Sequence, residues 1–257
     1  MKAQGRIGTA MKKLLRILYQ PYKWLFFSPF LILSTFVFGF TATALCFVMD
    51  PKTPSRLCGA TWAKLNGLLI PMFVSVFGRE HVDKNQSYVI VSNHQSQCDI
   101  LLLYGWLGID FKWVMKQELR KVPAIGISCE KLGHIYVDRS NRNAAVASIN
   151  AAKKKIANGT SVLFFPEGTR SRTGSLIPFK KGAFKMALDL GLPILPVTIA
   201  GTREVLPPDT ADMFPGRVRL IIHKPVSVQA FHEGTIGELM EKVREIIGKP
   251  LEEQQSG

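Results

Sequence analysis

A chain of 257 residues with 47% hydrophobic composition can bury a sizeable core: one α/β domain of roughly 200 residues plus an extra element. Its 33 Lys and Arg against 19 Asp and Glu give a formal net charge of +14, a balance that suits polyanions such as nucleic acid, anionic lipid headgroups or phosphorylated substrates. The four cysteines, Cys46, Cys58, Cys98 and Cys129, make no CxxC pair and no metal-ligand spacing, which argues for free thiols in a reducing compartment and against a metal centre.

The first 23 residues carry Lys2, Arg6, Lys12, Lys13, Arg16 and Lys23 and no acid. The next 26, residues 24–49, hold no charge at all. As a helix they would measure about 39 Å, enough for a hydrocarbon core of roughly 30 Å. The run is too long for a signal-peptide apolar region and no small-residue cleavage site closes it. Tyr19, Tyr22 and Trp24 stand at its basic flank, as at a cytoplasmic membrane interface. A second apolar segment, residues 65–77, is shorter, bounded by Lys64 and Arg79 and interrupted by Pro71, which predicts an interfacial or re-entrant partner for the first. Residues 1–77 are therefore expected to form a basic segment and a membrane-associated helical hairpin that returns the chain to the face it started from.

From residue 78 to 251 short apolar runs alternate with helical patterns. Strands are expected at 88–91, 111–115, 134–137, 162–165, 194–199 and 217–223, and helices at 99–107, 123–132, 141–157, 182–190 and 235–247. This alternation predicts an α/β domain with a mixed, largely parallel sheet flanked by helices. Thr235 and Glu238 read as the capping box of the last helix, and residues 252–257 as a tail.

The chemistry gathers after the strands. Asn93-His94-Gln95-Ser96-Gln97-Cys98-Asp99 follows the strand at 88–91, where open α/β sheets place their ligands. Five residues apart on one helix, His94 and Asp99 would diverge by about 140°. They meet only if His94 lies in the turn and Asp99 in the first helical turn. The carboxylate would then accept the imidazole Nδ1–H and leave Nε2 free as a base. Gly133 to Arg139 delivers a guanidinium at the end of another strand, and Phe165-Pro166-Glu167-Gly168-Thr169-Arg170-Ser171 follows a third. In that loop Gly168 allows close backbone approach, Thr169 and Ser171 offer hydroxyls, and Arg170 can grip a phosphate in a bidentate fork. Pro193 and Pro196 stand in the entry of the next apolar strand.

In this order and spacing the four stretches resemble the glycerolipid acyltransferase family, specifically bacterial 1-acyl-glycerol-3-phosphate acyltransferases. The first family motif matches at Asn93, His94 and Asp99, the second at Gly133, Asp138 and Arg139, the third from Phe165 to Ser171, and the fourth at Pro196. The resemblance covers about residues 88–205. It implies transfer of a fatty acyl group from a thioester to the 2-hydroxyl of lysophosphatidic acid, giving phosphatidic acid, with no cofactor beyond acyl-carrier-protein or coenzyme A thioester as co-substrate. His94 would be the base and Asp99 its orienting partner. Asn93, Arg139, Glu167, Gly168, Thr169 and Arg170 would bind the acceptor, Glu167 through a substrate hydroxyl or by organising the arginines, and Pro196 would help to wall the acyl-donor pocket. The partners implied are membrane lipids, not nucleic acid, and the setting is the cytoplasmic face of the inner membrane, where acyl thioesters are found. Other readings of the residues are the same chemistry on glycerol 3-phosphate, a lyso-ornithine lipid or a lysophospholipid, a thiol hydrolase pairing Cys98 with His94, and a basic membrane-surface or nucleic-acid-binding module.

Overall fold

The computed structural model describes Leu14 and residues 17–138, 140–156 and 159–256. Seven strands, β1 Met72–Phe77, β2 Val89–Ser92, β3 Phe111–Lys116, β4 Ile135–Val137, β5 Ser161–Phe164, β6 Ile194–Ala200 and β7 Gly216–Ile222, form one sheet in the order β1-β7-β6-β2-β5-β3-β4. Every neighbouring pair is parallel except β6–β7. The five strands β2 to β6 therefore point one way, and the loops that leave their carboxyl ends share one edge of the sheet. β2, β5 and β6 are buried along their whole length, which is why they read as unbroken apolar runs instead of alternating ones.

Numbering only the helices of seven residues or more, α1 is Ile17–Leu45, α2 Ala60–Leu69, α3 Cys98–Trp106, α4 Ile125–Lys131, α5 Arg142–Ala152, α6 Gly182–Leu190 and α7 Ile236–Ser256. One face of the sheet (Ile90, Leu163, Leu195, Val197, Ile199) packs under Leu102 and Leu103 of α3 and Ala63 of α2. The other (Val89, Val91, Val162, Ile194) packs under Phe184 and Ala187 of α6 and Leu239, Val243 and Ile247 of α7.

The N-terminal hairpin is present, but its second arm is not the expected one. Helical turns start at Lys52, where the Asp50 carboxylate accepts the Lys52 N–H at 2.9 Å, and run into α2, which stops at Leu69. Pro71 cannot continue the helix. Met72, Val74 and Val76 then alternate inward, so residues 72–77 join the sheet beside β7 instead of entering a membrane. The two arms run antiparallel. Tyr22 OH donates to the Leu69 carbonyl at 3.0 Å, Asn66 Nδ2 to Ser34 Oγ at 3.1 Å and Trp62 Nε1 to Thr35 Oγ1 at 3.2 Å. α1 is 29 residues long, apolar enough to cross a membrane, and mostly exposed along its length.

Two more boundaries shift. Thr235 is not the cap of the last helix but the reciprocal partner of one: His232 Nδ1 accepts the Gly234 N–H and Thr235 Oγ1 accepts the His232 N–H, opening a short turn before α7. α7 then runs through the expected tail to Ser256, because Leu251 extends the buried row Leu239, Val243, Ile247 at four-residue spacing. Asn141 caps α5 by accepting the N–H groups of Asn143 and Ala144. Residues 157 and 158, expected at the end of α5, lie outside the described residues, as do the first 13.

Candidate active site

β2 ends at Ser92 and α3 begins at Cys98, so His94 sits in the turn and Asp99 in the first helical turn. Their side chains meet: His94 Nδ1 lies 2.7 Å from Asp99 Oδ2. The same oxygen accepts the backbone N–H groups of Gln95 at 2.7 Å and Ser96 at 2.9 Å, so the turn is folded around the carboxylate. An ionised acceptor fixes the proton on Nδ1 and leaves the Nε2 lone pair open. The His94 side chain is 16% exposed against 0% for Asp99; the imidazole reaches the site while the carboxylate stays behind it. The ring stacks on Phe165, centroids 3.9 Å apart and planes 12° apart.

Glu167 holds this turn from the neighbouring loop. Its two carboxylate oxygens accept the His94 N–H and the Ile177 N–H, both at 2.8 Å, and Ser171 N–H donates to the His94 carbonyl at 2.8 Å. Burial pushes the Glu167 carboxyl above its ordinary range, and the two N–H groups pull it back. The Glu167 carboxylate, expected at a substrate hydroxyl or the arginines, here ties the His94 backbone to Ile177. Asn93 also spends its side chain on backbone. It is fully buried, and its amide exchanges two hydrogen bonds with the Ile199 backbone, at 2.7 and 2.8 Å, locking the end of β2 to β6.

Gly168 has φ of +74°, a left-handed backbone that favours glycine, and it lies beside the Lys180 side chain. Thr169 and Arg170 line a shallow groove with Ser171, Arg172, Thr173 and Asp209. Arg170 Nη2 is 3.4 Å from the Asp209 carboxylate. Arg139 lies outside the described residues, one position beyond Asp138, whose carboxylate accepts from the Ser140 backbone and hydroxyl. Pro196 is buried within β6 beside Val91, and its carbonyl accepts the His223 N–H. Pro196 is thus sealed between β2 and β7. Cys98 is 1% exposed, and burial pushes its thiol up to about 12, so it is no nucleophile.

Most of the pocket wall comes from residues no motif marked. A cavity of about 360 Å³ is lined by His94, Phe165, Trp113 and Tyr104 and by Phe38 and Gly39 of α1. Lys116, at the end of β3, also lines it and pairs with Glu118 at 2.8 Å. Trp113 was legible as strand and α1 as membrane helix; neither pattern says that they face one space.

A protein-family model described as "Acyltransferase" matches residues 73–200, from the second residue of β1 to the last of β6, and so spans the loops above. The 1-acyl-sn-glycerol-3-phosphate acyltransferase of Saccharomyces cerevisiae is 31% identical over 220 residues, 84% of this chain and 72% of that protein. This chain belongs to the 1-acyl-sn-glycerol-3-phosphate acyltransferase family. A chloroplast member from Brassica napus is 36% identical over 168 residues, and this chain spans about half (48%) of that longer protein. Among family structures, the crystal structure of the 1-acyl-sn-glycerophosphate (LPA) acyltransferase PlsC from Thermotoga maritima superposes with a TM-score of 0.79 at 28% identity, covering 96% of this chain and 98% of that one. The likeness to that structure thus takes in the hairpin and α7 as well as the segment the family model matches.

Proposed function

We propose that the protein transfers a fatty acyl group from an acyl thioester to the 2-hydroxyl of lysophosphatidic acid, giving phosphatidic acid for phospholipid synthesis. The observation that carries this reading is the Asp99-held imidazole of His94 in the wall of an apolar cavity. An alcohol is a poor nucleophile until a base takes its proton in the transition state. His94 Nε2 accepts that proton as the hydroxyl oxygen attacks the thioester carbonyl carbon. The tetrahedral intermediate collapses, the carbon–sulfur bond breaks, and the imidazolium returns the proton to the departing thiolate. Asp99 stabilises the imidazolium throughout. The N–H groups of Gln95 and Ser96 are committed to Asp99 and take no part in holding the oxyanion. An acyl chain fits the cavity between Trp113 and α1, and the acceptor's phosphate fits the arginine side of the 165–171 loop. The donor is an acyl-carrier-protein or coenzyme A thioester, and no cofactor enters the scheme.

The exposed apolar surface of α1, with Trp24, Leu25, Phe26, Leu33 and Phe40, supports attachment to a membrane. In this reading the enzyme sits on the cytoplasmic face of the inner membrane, with the cavity open to the depth where an amphiphilic acceptor resides. The test offers purified protein a labelled acyl thioester with lysophosphatidic acid, glycerol 3-phosphate and neutral lyso-lipids side by side. Labelled phosphatidic acid as the main product is expected; preferential acylation of another acceptor overturns the assignment.

A further inference from the structure

Asp209 has φ of +60°, one of two non-glycine residues among the described residues with a positive φ. The loop around it is pinned at both ends: Ser96 Oγ–H donates to the Leu206 carbonyl at 2.7 Å, and Phe214 N–H to the Val205 carbonyl at 2.8 Å. So fixed, Asp209 presents its carboxylate to two arginines of the neighbouring loop, Arg172 Nε at 2.8 Å and Arg170 Nη2 at 3.4 Å. Stability does not account for this arrangement. The side chains of Asp209 and Arg172 are 50% and 82% exposed, and ion pairs that open to water contribute little. Left-handed backbone at a non-glycine residue is a cost that tends to persist where it serves a site. Here the residue lines the groove formed with Thr169, Arg170, Ser171 and Arg172, all from the family's third motif or next to it.

We infer that Asp209 is a positioning residue: its carboxylate holds the Arg170 guanidinium by one corner, in the orientation that presents its remaining N–H groups to the acceptor's phosphate. A guanidinium has five N–H donors, and one long contact leaves most of them free. Arg170 is otherwise a long side chain whose rotamer freedom would be lost on binding; fixing it beforehand removes part of that cost from the affinity. Arg172 offsets the carboxylate's charge, so the Arg170–Asp209–Arg172 cluster keeps a net positive charge toward an anion.

The inference rests on lysophosphatidic acid being the acceptor, and the experiment separates the two. Full-length wild type, Asp209→Asn, Asp209→Gly and Asp209→Glu are assayed in detergent micelles with acyl coenzyme A and lysophosphatidic acid, and their melting temperatures are measured. Asn and Gly, the second of which accepts the left-handed backbone freely, are expected to raise KM for lysophosphatidic acid about fivefold. Their kcat, their KM for acyl coenzyme A and their melting temperatures stay near wild type, and Glu regains part of the acceptor affinity. An unchanged or lowered acceptor KM in Asn and Gly, or a fall in kcat without a change in KM, overturns the inference. If wild type itself does not acylate lysophosphatidic acid, the functional reading fails and the inference falls with it.

Discussion

A single imidazole carries the proposed chemistry, and the residues around it divide between those proposed to meet substrate and those that hold His94 in place. His94→Ala and Asp99→Ala are each expected to lower turnover by about 10²–10⁴-fold while the protein still folds, the usual contribution of a positioned base. Asp99→Asn should be severe as well, since an amide can present N–H to Nδ1 and hold the wrong tautomer; retention of a tenth of wild-type rate by Asp99→Ala would break the pairing. Glu167→Gln belongs to the same group. A glutamine oxygen can serve one of the two N–H groups now bound, and its NH₂ faces the other. The expected result is a drop in kcat together with a lower melting temperature, with KM for acceptor little changed. A rise confined to acceptor KM would instead return Glu167 to the substrate. Arg170→Ala should do what Glu167→Gln does not, raising acceptor KM by the loss of a charge-assisted contact worth about 1.5–3 kcal/mol.

At the scale of elements, two contacts decide how the layers meet. Gly59, in the second arm of the hairpin, lies against Tyr104 of α3, and a Cβ there would come within 2.4 Å of the phenol ring and hydroxyl. Tyr104 OH in turn lies 2.9 Å from Ser55 Oγ and forms part of the cavity wall. Gly59→Val should therefore push the hairpin off the domain, with overpacking of about 1–3 kcal/mol and a matching fall in acyl transfer; unchanged melting and activity would show that the arms do not need this contact. On the opposite face of the sheet, Thr198 Oγ–H donates to the Ile247 carbonyl at 3.0 Å and so accepts from His223 Nε2–H at 2.8 Å, tying α7 and β7 to β6. Burial, helped by nearby His81, pushes His223 down to about 4. Between pH 4 and the ordinary 6.5 the unfolded chain then binds more protons than the folded one. This group's stabilising contribution is complete above about 6.5 and is lost as pH falls toward 4. Melting curves across that window should be flatter for His223→Gln than for wild type, and equal slopes would remove His223 as the cause.

For the molecule as a whole, the proposed membrane attachment makes a prediction about where each end lies. Only α1 among the described helices is long and apolar enough to cross; the second arm carries Lys52, Arg56 and Lys64 and is packed against the domain through α3. With both arms antiparallel and the second one covering the sheet, the catalytic domain and the basic N-terminus are expected on one face. Cysteines placed in the first ten residues and in the last five, probed with a membrane-impermeant reagent, should label from the same side. Labelling from opposite sides would establish a single span.

Much of this was written locally in the chain. Unbroken β-branched runs made β2, β5 and β6 readable because a strand buried on both faces has no polar positions to alternate. The His94–Asp99 pairing was readable because a five-residue spacing permits contact only across a strand-to-helix turn. What the sequence could not show depends on partners far along the chain. Residues 72–77 are as apolar as a membrane segment, and only pairing with β7, about 140 residues later, makes them a strand. Asn93, Glu167 and Pro196 stand in family motifs like His94, yet the first two spend their polar groups on the backbone of Ile199, His94 and Ile177, and the third is sealed in the sheet. The cavity belongs to no segment, since Trp113, Tyr104 and α1 approach one another only after the sheet has brought β3 beside β5 and the hairpin has folded across α3. Local pattern specifies the element a residue joins; the empty space between elements is set by how their surfaces fit.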